Sequence, residues 1–263
     1  MIGKEKTAEK DTITATCKMV LHPPGQLAIF SGYIYYPVKF TIMHPEQNPP
    51  DKKSENPNDQ IISYYTLRIL IGATGVLLPL LVFFGKYISQ GSGVLEFSIS
   101  DYYDNGTAGD VLVGVLFVLG FFLLSYKGPE PIDNRAADVG CVAALGVALF
   151  PTTYCPSCWV HYLHFVFALL LFSVFIFFSM YLFRKTNPAK AMTPQKRDRN
   201  KVYLICGIIM IVCIAAIAFS LLVLEPSVSS KYKLVFWFES LALVSFGISW
   251  ITKSESFYLK DKE

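Results

Sequence analysis

The chain has 263 residues, of which 53% are hydrophobic and 16% charged, against about 25% charged in an ordinary soluble domain. That balance excludes a single large soluble core, and a net charge of +3 is too small to point to nucleic acid as a partner. Six cysteines, with Cys17, Cys141, Cys206 and Cys213 isolated, do not make the disulfide framework of a small secreted fold.

Residues 1–60 differ in character from the rest of the chain. Pro23, Pro24, Pro37, Pro45, Pro49, Pro50 and Pro57 fall here, and 44–60 is a polar, proline-rich linker. Between the prolines, Leu27–Phe30 and Tyr33–Met43 are apolar runs split by Ser31-Gly32. They read as a hairpin, a stretch lying on a membrane surface, or part of an unstructured extension. Met1 to Cys17 is polar and carries no cleavable signal pattern, so the first span is expected to act as its own insertion signal.

Beyond residue 60 lie six apolar spans, near 63–85, 110–126, 137–151, 159–183, 202–224 and 233–252. A membrane helix needs about 20 apolar residues, so the third is short and would extend through Pro151 or sit in a thin region. The expected fold is an all-α integral membrane protein: a poorly structured N-terminal extension (1–60), a six-helix transmembrane bundle (61–253) and a short tail (254–263). Glycines within the spans permit close helix approach, and Cys206 and Cys213, a heptad apart, read as small packing residues. Trp159, Tyr162, Trp237 and Trp250 lie near span ends, as an interfacial belt would.

Loop charges set the orientation. Arg184, Lys185, Lys190, Lys196, Arg197, Arg199 and Lys201 lie between spans four and five, Lys127 and Arg135 between two and three, and Lys253, Lys260 and Lys262 after six. The alternate loops carry only Lys86, Lys231 and Lys233. The positive-inside rule therefore predicts a multi-pass protein of the cell membrane with both termini cytoplasmic. The outer loops are then 86–109, with Glu96, Asp101 and Asp104, and 152–158, with Cys155 and Cys158. Asn105-Gly106-Thr107 in the first of these matches a glycosylation sequon.

Three constellations carry chemistry. Cys155, Cys158, His161 and His164 have a C-x2-C-x2-H-x2-H spacing, which reads as a zinc ligand set, or as a Cys155–Cys158 disulfide beside two membrane histidines. His164 and Glu239 each lie about 8–9 Å below the outer start of their helices at 1.5 Å rise per residue. Ionisable groups at that depth are costly unless paired or facing a wet cavity, so this pair is either a functional site or a brace between helices four and six. Arg68 and Asp138, near the inner ends of spans one and three, either pair or snorkel to the head groups. No Walker loop, G-x-S-x-G elbow or H-E-x-x-H motif is present.

Phe97-Ser98-Ile99-Ser100-Asp101 ahead of span two resembles the I-S-D element of a six-helix superfamily that includes the DRAM autophagy modulators, the yeast Sfk proteins and a GPI-anchor remodelling factor. His164 to Phe172 is similar to its H-x-x-G-A-x-x-x-F motif, with Phe167 where a small residue usually stands, and Glu239 falls where those proteins carry a glutamate. Residues 61–253 also resemble a bacterial domain-of-unknown-function family, down to Asp101-Tyr102-Tyr103, Ala148 to Thr152 and Arg199 to Tyr203. The resemblance implies a bundle that handles or senses membrane lipid from the outer leaflet, with Asp101, His164 and Glu239 as the shared polar positions; it does not establish an enzyme. Three functions are therefore expectations. The first is lipid binding at a polar site near the outer face, with no cofactor. The second is an intramembrane lipid hydrolase with zinc at His161 and His164 and with Asp101 or Glu239 as proton acceptor. The third is a small transporter using His164 and Glu239 as a proton relay.

Overall fold

The computed structural model describes residues 63–152, 159–186 and 192–255, which form seven α-helices and no strand. These are α1 (Tyr64–Gln90), α2 (Thr107–Ser125), α3 (Pro131–Leu149), α4 (Val160–Phe177), α5 (Pro194–Leu222), α6 (Pro226–Tyr232) and α7 (Leu234–Lys253). A 3-10 helix (Ser100–Asp104) precedes α2, and α4 runs on through a π-helical turn, Phe178–Leu182. The extension 1–60, with its two apolar runs, and the tail from 256 lie outside the described residues.

The helix starts are set by local chemistry. Ser63 Oγ accepts the Thr66 amide at 3.2 Å, and Thr193 Oγ1 accepts the Lys196 amide at 3.1 Å. At α3, Glu130 and Asp133 form a reciprocal capping box around Pro131. Each arrangement satisfies amides that the first helical turn leaves without an intrahelical acceptor, and proline at the first position loses nothing there.

Five helices are long and apolar enough to cross a membrane: α1, α2, α4 with its π turn, α5 and α7. The expected third span differs. Helix α3 is as long as α2, at 19 residues, but Asp133, Arg135 and Asp138 fall in its first half. Its two ends are tied to opposite ends of α4. Glu130 Oε2 pairs with Lys185 Nζ at 2.6 Å beyond the end of α4, and Phe150 O accepts from His164 Nδ1 at 2.7 Å near the start of α4. The short α6, in the connection between α5 and α7, is not legible in the sequence.

Helix α7 packs on both α1 and α5, α1 on α2, α2 on α3, and α3 on α4. One seam is different. Helices α4 and α5 are held together at the end where α5 begins, by Ser179 Oγ donating to Tyr203 O at 2.9 Å and by Met180 seated against Gly207. The π turn, closed by Phe183 N on Phe178 O at 2.9 Å, presents Ser179 and Met180 to α5. Farther along, the two helices separate.

At the pinned end the core is aromatic. Trp250 is fully buried, with Tyr126, Phe178 and Phe183 at ring-centroid distances of 5.0, 5.0 and 5.1 Å. Of the four expected belt residues, Trp159, Tyr162 and Trp237 are exposed, while Trp250 is the hub of this cluster. Its place one turn from the end of α7 puts it on the face turned to α2 and α4. Arg68 does not pair with the exposed Asp138: it lies over the Tyr64 ring at 3.9 Å and donates to Lys253 O at 2.9 Å. Cys206 and Cys213 are buried free thiols.

Helices α1 and α7 cross at paired glycines. A Cβ on Gly72 would lie 2.6 Å from Gly247 O, so neither backbone can retreat behind a side chain. Gly72→Leu should therefore destabilise the bundle by about 1–3 kcal/mol through overpacking, read as a lower melting temperature in detergent. Gly114→Ala, where a Cβ meets nothing within 4 Å, should leave it unchanged.

Candidate functional site

Ahead of α2 the loop 97–101 is drawn into the end of the bundle by two bonds from α7. Glu239 Oε2 accepts the Ile99 amide at 2.6 Å, and Phe236 N donates to Phe97 O at 3.0 Å. Within the loop, Asp101 Oδ2 accepts the Ser98 amide and Ser98 Oγ accepts the Asp101 amide, each at 3.1 Å. This reciprocal pair closes a tight turn that aims Ser100 toward α4.

From the other side, His164 meets the loop. Its Nδ1 bonds Phe150 O at 2.7 Å, and its Nε2 bonds Ser100 Oγ at 3.0 Å. A carbonyl oxygen can only accept, so Nδ1 carries the proton. In the neutral ring Nε2 is then the acceptor and the Ser100 hydroxyl donates. The imidazole is buried, at 3% exposure, while Ser100 and Asp101 are half-buried.

Asp101, His164 and Glu239 thus come to one place, joined by loop 98–101 and not by direct contact. They share a cavity of about 340 Å³ with Ser98, Ser100 and Thr152. Its remaining walls are apolar: Phe165, Leu169 and Phe172 from α4, and Ile214, Ile217, Ala218 and Leu221 from α5. Phe165, Leu169, Ala218 and Leu221 are themselves exposed, so the cavity opens sideways through the α4–α5 seam. No lysine or arginine lines it. Lys86, on the last turns of α1, is ion-paired with Glu96 and donates to Val94 O at 3.0 Å.

The other expected positions fall elsewhere. Cys155 and Cys158 lie outside the described residues, as does the side chain of His161. Among the described residues no three His, Cys, Asp or Glu side chains cluster as a metal site, and both ring nitrogens of His164 are already hydrogen-bonded. Asn105, the sequon residue, uses its amide to join Glu96 Oε1 and Asp101 O, both at 3.1 Å, and so ties the loop together. Sequence reasoning missed Ser98, Ser100, Thr152 and the Phe150 carbonyl. The one signal for them was two serines flanking Ile99 in an otherwise aromatic run.

Compared with protein-family models, with curated proteins and with solved structures, the chain matches none.

Asp101 sits in the short 3-10 helix, outside the long apolar helices, where burial raises its carboxyl pKa above the ordinary 3.8 despite the lowering effect of its Ser98 hydrogen bonds. A raised folded value means that the folded state holds this proton more tightly than the unfolded chain. The resulting stability is complete below 3.8 and is lost as pH rises through the folded value. Across that window the melting temperature of the wild type should fall relative to that of Asp101→Asn, which cannot ionise. A constant difference between the two would contradict this assignment.

Proposed function

We propose that this chain is a multi-pass membrane protein that binds lipid, with the head group among Asp101, His164, Glu239 and the neighbouring hydroxyls and an acyl chain in the α4–α5 seam. The observation that carries the reading is a polar cluster heading an apolar cavity whose side opens between exposed apolar residues of α4 and α5. Ligand sites have this character: mostly apolar walls with a few convergent polar groups. Ionisable groups on spanning helices default to function when they face a cavity. With two carboxyl groups and no cation on the wall, the site favours an uncharged head group bearing hydroxyls or esters over a phosphate. The sequence resemblance to the DRAM and Sfk superfamily and its bacterial counterparts agrees with this reading and is proposed with it.

Helix α3 completes a six-span bundle on this reading. Its 19 residues would cover about 28 Å, near the ~30 Å hydrocarbon thickness, and its exposed Arg135 would reach the head groups. Basic residues gather at one end of the bundle (Lys127, Arg135, Arg184, Lys185, Lys196, Arg197, Arg199, Lys201, Lys253), which supports a cytoplasmic location for that end and for both termini. The lipid site then faces the outer leaflet. In intact cells a cysteine introduced at Asp104 should react with an impermeant maleimide and one at Lys196 should not; the opposite pattern would reverse the orientation.

For the ligand, the full chain in nanodiscs with a photoactivatable diacylglycerol should crosslink to peptides of α4 and α5. Ala218→Trp, which fills the seam, should cut the yield at least about tenfold, equivalent to ~1.4 kcal/mol. Unlabelled diacylglycerol should compete better than phosphatidylglycerol. Crosslinking spread evenly over all lipid-facing helices would remove the proposal.

A further inference from the structure

The Ser100–His164 contact is more than a brace, and its role rests on the lipid-binding function proposed for the cavity. We infer that Ser100 and His164 form a nucleophile–base dyad that cleaves or transfers an acyl ester held in the cavity. The geometry has the three parts that nucleophilic catalysis by a hydroxyl requires. First, the hydroxyl lies 3.0 Å from an imidazole nitrogen, within hydrogen-bonding reach of its base. Second, the base is oriented by a third group. Phe150 O accepts from Nδ1 at 2.7 Å, holding the tautomer that leaves Nε2 free to take a proton. A carboxylate usually fills that position; a backbone carbonyl supplies the same orientation with less charge stabilisation of the imidazolium. Third, both side chains line a cavity whose other walls suit an acyl chain, so an ester carbonyl at the polar end would lie beside Ser100.

The step balances with the groups of this site and an ester substrate. Ser100 Oγ forms a bond to the ester carbonyl carbon as its proton passes to His164 Nε2. The tetrahedral intermediate then expels the alcohol oxygen, which takes that proton from His164 and leaves as the free alcohol. The acyl group stays on Ser100. Water, or the hydroxyl of a second lipid, attacks the acyl-serine with His164 again as base, giving a free fatty acid or a new ester and restoring the Ser100 hydroxyl. Ser98 and Thr152 place further hydroxyls on the same wall, where one can donate to the developing oxyanion.

A brace and a dyad differ in reactivity. Treated with a long-chain alkyl fluorophosphonate, the full chain in nanodiscs should form a covalent adduct that mass spectrometry maps to Ser100. His164→Gln should slow labelling by about a hundredfold or more, and Ser100→Ala should abolish it while diacylglycerol crosslinking persists. That persistence shows that the variant is folded. Ser173→Ala, at an exposed position of α4 outside the cavity, should keep both signals. If the wild type crosslinks diacylglycerol but forms no adduct, or the adduct lies on Ser98 or Thr152, the dyad is overturned and the lipid reading stands. If it neither crosslinks nor labels, both are overturned. An adduct on Ser100 that forms equally fast in His164→Gln also overturns the dyad, because the imidazole is then no base.

Discussion

One carboxyl group holds the site's end of the bundle together. Glu239, at the start of α7, accepts the buried amide of Ile99 and thereby fixes a loop that would otherwise have no reason to enter the bundle. A buried amide without an acceptor costs about 1–3 kcal/mol, so the loop and the glutamate depend on each other. Once Ile99 is anchored, the Ser98–Asp101 turn can close, and that turn is what brings Ser100 within reach of His164. The site is therefore assembled across three chain segments, with the loop as the crosspiece between α7 and α4.

The two ends of the bundle have opposite packing. Around Trp250 four aromatic rings from three segments interlock, and Met180 against Gly207 closes α4 onto α5. Cores packed in this way are dense and resist deformation. At the other end, α4 and α5 present Phe165, Leu169, Ile217 and Leu221 to each other across open space. In water that gap would be costly apolar exposure. In a bilayer, lipid tails fill it at little cost, because hydrocarbon is as apolar as the side chains. The same separation makes a side entrance to the polar cluster.

The polar cluster is built from short side chains and backbone groups. Lysine and arginine are absent from its walls, and Lys86 on α1 is already committed to Glu96. The side chains that meet at the loop have partners of matched chemistry: carboxyl oxygens to amides, imidazole to hydroxyl and carbonyl. This is how polar groups persist beside hydrocarbon, where water cannot satisfy them. It also preorganises the serine and the histidine before any ligand arrives, so a reaction there would not have to order them first.

Much of this was legible in the sequence, because bilayer physics acts on local composition. Long apolar runs ended by charges marked the five strongly apolar spans, and the depth of His164 and Glu239 marked them as residues in need of partners. The third run was ambiguous for a physical reason: Asp133, Arg135 and Asp138 dilute its hydropathy, and the helix it forms is not among the five apolar enough to cross a membrane. Other features are decided by tertiary structure alone. Trp250 near the end of α7 looks like a belt residue until rotation about the helix axis turns it inward. Arg68 and Asp138 look like a pair until their helices face them apart. His164 and Glu239 suggest a direct contact by depth, yet the loop passes between them. Ser100 was invisible as a partner of His164, because the loop path that sets its hydroxyl beside the imidazole is not written in local sequence. Depth along a helix is set by residue number, which sequence records; facing direction and loop path depend on packing between segments far apart in the chain.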